Sequence, residues 1–395
     1  MKKLAIEGGM PIRPDLLPYG RQQIDDADIQ AVVNVLRGDW LTTGPNVDAF
    51  EEAFSAKTGA KYAVAVNSGT AALHAAMFAL DIKPGDEVIV SAMTFAASAN
   101  CVIYQGGTPV FTDVEMDTLL LDATQVEEKI TSRTKAIIAV DYAGQPCDYD
   151  TLRNIADKYG LALVADAAHS LGGSYKERAV GTLADLNTFS LHPVKHITTG
   201  EGGVITTDNA DLAQKMRYFR THGITSDHRQ RAERGGWFYE MVDLGYNYRI
   251  PDINCALGIS QLNKLDSWVS RRRNITLEYD LAFADIPAVT PLTIRPERSS
   301  AWHIYPILLE TEYLRVGREQ IFAALRAENI GVNVHYIPVY WHPYYARHGY
   351  KHGLCAITEN AYNRLITLPI FPAMSKQDVK DVIAAVKKVM EAYAI

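Results

Sequence analysis

The stretch Tyr62-Ala63-Val64-Ala65-Val66-Asn67-Ser68-Gly69-Thr70 decides how the rest of the chain is read. Its first five residues are a short apolar run that reads as a buried strand, and the alanine-rich run at 71–80 reads as a helix. A strand that feeds a helix through Asn-Ser-Gly-Thr leaves the first helical N–H groups unpaired and facing outward, which makes an anion site. Gly69 lets the backbone approach the anion, and the Ser68 and Thr70 hydroxyls can donate as well. Taken alone, the motif is more simply an N-cap, where Ser and Thr are favoured anyway.

Working outward, short apolar runs recur at 87–90, 108–111, 136–140, 162–165, 186–190 and 203–206, with helical stretches such as 151–159 between several of them. This alternation predicts an α/β fold with a mostly parallel central sheet and helices on both faces. In such a sheet a ligand site lies at the strand ends. Helices are expected from near 24 to before Gly38, and at 45–58, before the first strand. A long helical stretch at 255–273 is expected to leave this domain. Beyond it, a strand at 303–309 and helices at 318–328 and 377–394 read as a smaller C-terminal α+β domain. The division is a Pro- and Gly-rich N-terminal arm at 1–25, a large domain at 26–262 and a small one at 263–395.

The bulk properties agree. A chain of 395 residues is too long for one ordinary core. Its 48% hydrophobic and 22% charged residues are the balance of a soluble enzyme, and a net charge of -7 argues against a nucleic-acid partner. Cys101, Cys147, Cys255 and Cys355 are far apart, which suggests neither a zinc site nor a disulfide framework and fits a reduced, cytoplasmic compartment. The N-terminus lacks the apolar run of a signal peptide, and no stretch is long and apolar enough for a membrane helix.

Two further strand ends carry chemistry. In Val164-Ala165-Asp166-Ala167-Ala168-His169, a carboxylate ends an apolar strand, where it is expensive unless paired. It either caps the next turn or meets a cation. In Ser190-Leu191-His192-Pro193-Val194-Lys195, followed by Thr198-Thr199-Gly200-Glu201-Gly202-Gly203, a lysine sits just past a strand beside a glycine cluster. A lysine that can lose its proton forms Schiff bases with carbonyls; otherwise it is a surface lysine. His192 and His196 do not make a metal pair, because Pro193 lies between them and no third ligand is present. An anion cradle, a carboxylate and a lysine at three strand ends are what pyridoxal 5'-phosphate (PLP) needs for its phosphate, its ring nitrogen and its aldehyde. Phe95, after another strand, is a candidate to stack on the ring, or else a core residue.

These residues resemble the sugar-nucleotide aminotransferases of the DegT type, a branch of the fold-type-I PLP enzymes. The likeness covers nearly the whole chain, from Trp40-Leu41-Thr42-Thr43-Gly44-Pro45 to Thr367-Leu368-Pro369-Ile370-Phe371-Pro372, and NSGTAALHAA, ADAAHSLGGSY and SLHPVKHITTGEGG match in order and spacing. The resemblance implies that Lys195 is the Schiff-base lysine and proton shuttle. It makes Asp166 the partner of the ring nitrogen, His169 a support for the ring or its hydroxyl, and Phe95 the stacked aromatic. Ser68, Gly69, Thr70 and Ser190 become phosphate contacts. Asn247 reaches the phosphate of the neighbouring subunit, which implies a homodimer with composite sites. HPVKHITTGEGG and the aromatic-rich 336–345 look most like the branch of pseudaminic acid biosynthesis. That branch aminates C4 of a UDP-linked 4-keto-6-deoxy-N-acetyl-hexosamine with glutamate as donor, through a ping-pong cycle by way of pyridoxamine phosphate. Relatives acting on other UDP- or dTDP-keto-sugars share most of these motifs. The 336–345 loop either lines the sugar pocket or is a packed loop. Relatives that remove a hydroxyl carry histidine in place of the lysine, and Lys195 disfavours that reaction. A non-catalytic regulator is disfavoured because all the expected residues are present and no basic helix-turn-helix is visible. A dinucleotide-binding dehydrogenase fails because no GxGxxG follows the first strand.

Overall fold

The computed structural model describes residues 3–226, 228–233 and 235–395. Seven strands form the central sheet: β1 (Tyr62–Val66), β2 (Glu87–Ser91), β3 (Thr108–Thr112), β4 (Thr134–Val140), β5 (Ala162–Asp166), and, after the two-residue strands β6 (Ser174–Tyr175) and β7 (Arg178–Ala179), β8 (Leu186–Ser190) and β9 (Gly203–Thr207). The order is β1-β9-β8-β5-β4-β2-β3. The pairs from β3 through β2, β4 and β5 to β8 are parallel, whereas β9 runs antiparallel to both β8 and β1. The sheet is therefore mostly parallel, as expected, with one reversed strand.

Apolar strands alternate their side chains between two cores. Ala63, Ala65, Ile137 and Ala139 face one, together with Phe50, Phe54, Tyr149 and Leu152 from the helices Pro45–Thr58 and Tyr149–Tyr159. Val64, Val66, Ala136 and Ile138 face the other, beneath the helix Gly69–Ala79. With both faces covered, a run without polar alternation is what each strand requires.

The parallel strands bring their carboxyl ends to one edge. β1 delivers Asn67 and Ser68 there, β5 delivers Asp166 and β8 delivers Ser190. The reversed strand β9 starts at the same edge, and Gly203 is in register with both Val66 and Ser190. A Cβ on Gly203 would lie 2.3 Å from the Ser68 carbonyl oxygen, and one on Gly69 would lie 2.7 Å from Ser190 Cβ. The absence of two side chains is what lets the β1–helix turn close onto β8.

The stretch expected as one helix at 255–273 is two, Asp252–Leu262 and Leu265–Phe283. No Gly or Pro marks the break. Lys264 leaves the helix to pair with Asp25 and the buried Asp28, and Gln261 Nε2 donates to Asp28 Oδ2 at 2.7 Å. Beyond it, β10 (Val289–Pro291), β12 (Tyr305–Leu309) and β13 (Leu365–Leu368) make a three-stranded antiparallel sheet, while β11 (Arg298–Ser299) joins β6 and β7 in a ribbon. The helices Arg318–Ala327 and Lys376–Tyr393 complete a third core. The N-terminal segment lies on this part of the chain: Leu4 and Leu17 are in its core, Glu328 accepts from the Ala5 and Ile12 amides at 2.9 Å, and the Ile370 amide donates to the Tyr19 carbonyl. That last bond sets Tyr19 at the sheet edge. Among the described residues, no helix is long and apolar enough to cross a membrane.

Gly203→Ala is expected to destabilise the fold by about 1–3 kcal/mol through overpacking against backbone, read as a lowered midpoint in urea. An unchanged midpoint would show that the turn after β1 is free to move away.

Candidate active site

Ser68 serves the helix and leaves its proton free for another use. It is the N-cap of Gly69–Ala79, and its Oγ accepts from the Ala71 amide at 3.0 Å. The hydroxyl hydrogen remains to be donated, so the capping and anion-binding readings are compatible. The first turn of this helix carries the dipole's positive end.

Asp166 is 7% exposed at the end of β5. Burial raises its pKa above the ordinary carboxylate value. Against that, Ser98 Oγ donates to Oδ2 at 2.6 Å, the Ala168 amide donates to Oδ1 at 3.2 Å, and Lys195 adds positive charge. Ser98 lies on the helix Ala97–Tyr104 and is itself hydrogen-bonded to Thr94 Oγ1 at 2.6 Å. One hydroxyl thus reaches the carboxylate, and a second supports it.

Lys195 stands in the loop between β8 and β9. Its amide donates to the His192 carbonyl, and Thr199 N–H and Thr198 Oγ1 close the loop on the Leu191 carbonyl. Burial pushes its amine down to about 8, Asp166 opposes this, and the Arg272 guanidinium adds to it. Lys195 Nζ lies 3.3 Å from His303 Nε2. Burial also holds His169, His196 and His303 well below the usual imidazole value, and His335 down to about 3. These rings are neutral walls around one amine and one carboxylate.

A cavity of about 490 Å³ brings together Ser68, Gly69, Thr70, Phe95, Asp166, His169, Ser190 and Lys195, a size in the range of small-molecule sites. Phe95 is 59% exposed, so it is not a core residue. Asn247 does not line this cavity. It lies in a loop where it bridges Thr221, and its carbonyl accepts from Asn67 Nδ2 at 3.4 Å. Of the aromatic-rich 336–345, Tyr336 lines the cavity, whereas Tyr340 and Tyr345 are buried against Phe111. Tyr340 and Tyr345 thus serve packing rather than the cavity. His196 Nε2 meets the Ala301 carbonyl at 3.2 Å, and no group of side chains among the described residues could hold a metal.

Sequence reading missed Tyr19, Ser98, His303 and His335, all at or directly behind the cavity. None lies in a strand-end motif of the large sheet. The N-terminal segment and the C-terminal part of the chain bring three of them.

The residues fit PLP. The buried carboxylate lacks a full counter-charge and suits a protonated ring nitrogen. Phe95 offers an open face, and the turn after β1 offers N–H groups and hydroxyls for a phosphate. His169 holds Tyr336 OH through Nε2 at 3.0 Å, while its buried Nδ1 has no partner and is available to a bound group.

Comparison with known proteins agrees with this chemistry. Residues 22–387 match the DegT/DnrJ/EryC1/StrS aminotransferase family. The spore coat polysaccharide biosynthesis protein SpsC of Bacillus subtilis is 41% identical over 382 residues, covering 96% of this chain and 98% of SpsC. Among solved structures, the putative sugar aminotransferase Spr1654 of Streptococcus pneumoniae in its PMP form superposes with a TM-score of 0.90 at 34% identity, covering 95% of this chain and 99% of that one. Helicobacter pylori PseC, an aminotransferase involved in the biosynthesis of pseudoaminic acid, does so with a TM-score of 0.90 at 32% identity, covering 96% and 100%. The chain therefore belongs to the DegT/DnrJ/EryC1/StrS family and is a PLP-dependent sugar aminotransferase.

Proposed function

We propose that this enzyme moves an amino group from glutamate to C4 of a UDP-linked 4-keto-6-deoxy-N-acetyl-hexosamine, as a cytoplasmic homodimer with composite active sites. The observation that carries the amine chemistry is Lys195 facing the buried Asp166 across one cavity. The likeness of the loop around Lys195 to the pseudaminic acid branch, and the overall likeness to PseC, support the sugar. The greater identity to SpsC supports a second reading, amination of another UDP- or dTDP-keto-sugar.

Bound PLP supplies an electron sink and carries the amino group between donor and acceptor. Asp166 would hold the proton on the ring nitrogen that keeps this sink effective. Ser68, Gly69, Thr70 and Ser190 would hold the phosphate, Phe95 would cover the ring, and His169 Nδ1 would serve its hydroxyl side. Lys195 Nζ would anchor the cofactor at rest. As the free amine it would take the proton from the donor Cα, and in the second half of the cycle it would return a proton to sugar C4. The two halves share one base and one cavity, so the cycle is ping-pong.

The composite site is supported by the loop that carries Asn247. Trp237 is 83% exposed and Leu244 70%, and Phe238, Met241 and Val242 are exposed as well. An apolar stretch of this kind marks a surface that another chain covers. Asn247 does not line its own cavity, which suits a residue that serves a partner's phosphate. Four free buried cysteines suit a reducing compartment.

Glutamate alone is expected to bleach the long-wavelength absorbance of the purified enzyme, and a keto-sugar substrate to restore it. In a panel of UDP- and dTDP-linked keto-sugars, recovery with a dTDP-sugar alone would overturn the proposed acceptor in favour of the second reading. Mixing inactive Lys195→Ala and Asn247→Ala variants, unfolded and refolded together, is expected to return about a quarter of wild-type activity, because half of the random dimers then hold one intact site. No recovery from two well-folded variants would sink the composite site.

A further inference from the structure

His303 is held in place more firmly than packing alone requires. The preceding residue, Trp302, has φ +53°, and Ala143, whose carbonyl accepts from the His303 amide at 3.0 Å, has φ +58°. A left-handed backbone at a bulky residue is strained and persists only where its surroundings over-determine it. Those surroundings are specific. The Ala301 amide donates to the Gly144 carbonyl, and a Cβ on Gly144 would lie 2.5 Å from Trp302 N and 3.1 Å from His303 N. Arg272, 1% exposed, donates through Nη1 to the carbonyls of Trp302, His303 and Ile370 at 3.2, 3.1 and 2.9 Å. Its Nε is buried without a partner. A buried guanidinium and two strained residues fix the ring that meets the lysine amine.

We propose that His303 is a positioning residue, the seat on which the ε-ammonium of Lys195 rests whenever that amine is free, donating to the lone pair of His303 Nε2. The imidazole proton then sits on Nδ1, which is buried and finds no acceptor. The fold leaves that N–H unpaired so that the other nitrogen can face the lysine. Unsatisfied polar atoms and strained backbone gather where function outweighs local stability. A seat of this kind gives the freed amine one place from which to reach both the donor Cα and the sugar carbon, instead of a sweep of rotamers.

The charges that reach the amine are Asp166, which favours the ammonium, and Arg272, which opposes it. His169, His196 and His335 face it as neutral rings. Burial keeps the Tyr19 and Tyr336 hydroxyls protonated, and His192 and Glu201 stand at the exposed side of the cavity. Among these neighbours His303 alone is hydrogen-bonded to Nζ.

The inference rests on the reading of Lys195 as the reacting amine, and the two fail differently. Borohydride reduction of the wild-type holoenzyme, followed by peptide mass spectrometry, should fix the cofactor to Lys195; fixation elsewhere would remove that reading. The seat is tested on the full chain freed of cofactor, by the rate of Lys195 carbamylation with cyanate against pH. Wild type should show a midpoint near 8. His303→Leu removes the acceptor, and the midpoint should fall by about one pH unit, which raises the ratio of neutral to charged amine about tenfold at a given pH. His303→Gln keeps an acceptor near the same place and should stay close to wild type. A merely structural role predicts the reverse sign, since a loosened site admits water and lets the midpoint climb toward that of an ordinary lysine. A midpoint in His303→Leu that rises or does not move, or a His303→Gln variant that behaves like His303→Leu, would overturn the proposal.

Discussion

The site is organised by the opposition of one buried carboxylate and one half-buried amine in a single cavity. Burial alone would neutralise both, raising Asp166 and lowering Lys195. The charge on Asp166 is sustained by two hydrogen bonds from its own side of the sheet and by the lysine in front of it. Lys195 feels two charges of opposite sign, Asp166 and Arg272, and its midpoint near 8 is the balance between them and burial. The histidines around it add no charge to that balance, because burial keeps them neutral. The base proposed for both half-cycles would work best with a pKa near the operating pH, and burial is the largest cause that lowers the Lys195 amine toward it.

The backbone arrangement follows from the need to bring these groups to one edge. Parallel strands bring their carboxyl ends together, which places Asp166, Ser190 and the Ser68 turn on a common line. They do not by themselves bring β1 beside β8. The reversed strand β9 does this, because it pairs with both and begins with a residue that has no side chain. Strand direction and a glycine thus perform one task, closing the cradle. The same edge is roofed by segments remote in sequence. Tyr19 is carried by the N-terminal segment, while Trp302–His303 and His335–Tyr336 come from the C-terminal part of the chain.

Local features were legible in the sequence. Continuous apolar runs gave the strands β1, β2, β4, β5 and β8 nearly to the residue, since a strand buried on both faces admits no alternation. Asp166 and Lys195 stood out as polar residues at the ends of such runs, and Phe95 proved to be an open face. The direction of β9 was not legible, because an apolar five-residue strand reads the same both ways. The break at Asn263 and Lys264 had no local signal either; it arises from an ion pair to a helix more than two hundred residues earlier. His303 lay inside a run read as a strand from 303, whereas β12 starts at Tyr305, and His303, two residues before it, meets Lys195. Tyr340 and Tyr345 looked like pocket residues for the opposite reason: a cluster of aromatics has the same composition whether it lines a cavity or packs against Phe111.

Charge also bears on the number of chains a complete site needs. Among the described residues lining the cavity, Lys195 is the only lysine or arginine, and in the proposed mechanism the cofactor would take its amine at rest. The cradle offers dipoles, which hold a phosphate well but do not neutralise it. A nucleotide-linked sugar adds a diphosphate to the same space, and two anionic groups in a dry cavity repel strongly unless cations face them. One chain does not line its cavity with those cations. The segment that carries Asn247 also carries Arg249, and it extends from the exposed stretch around Trp237 and Leu244. In the proposed dimer that apolar stretch would be covered, hydrophobic burial would drive the association, and the polar end of the segment would bring positive charge toward the second cavity.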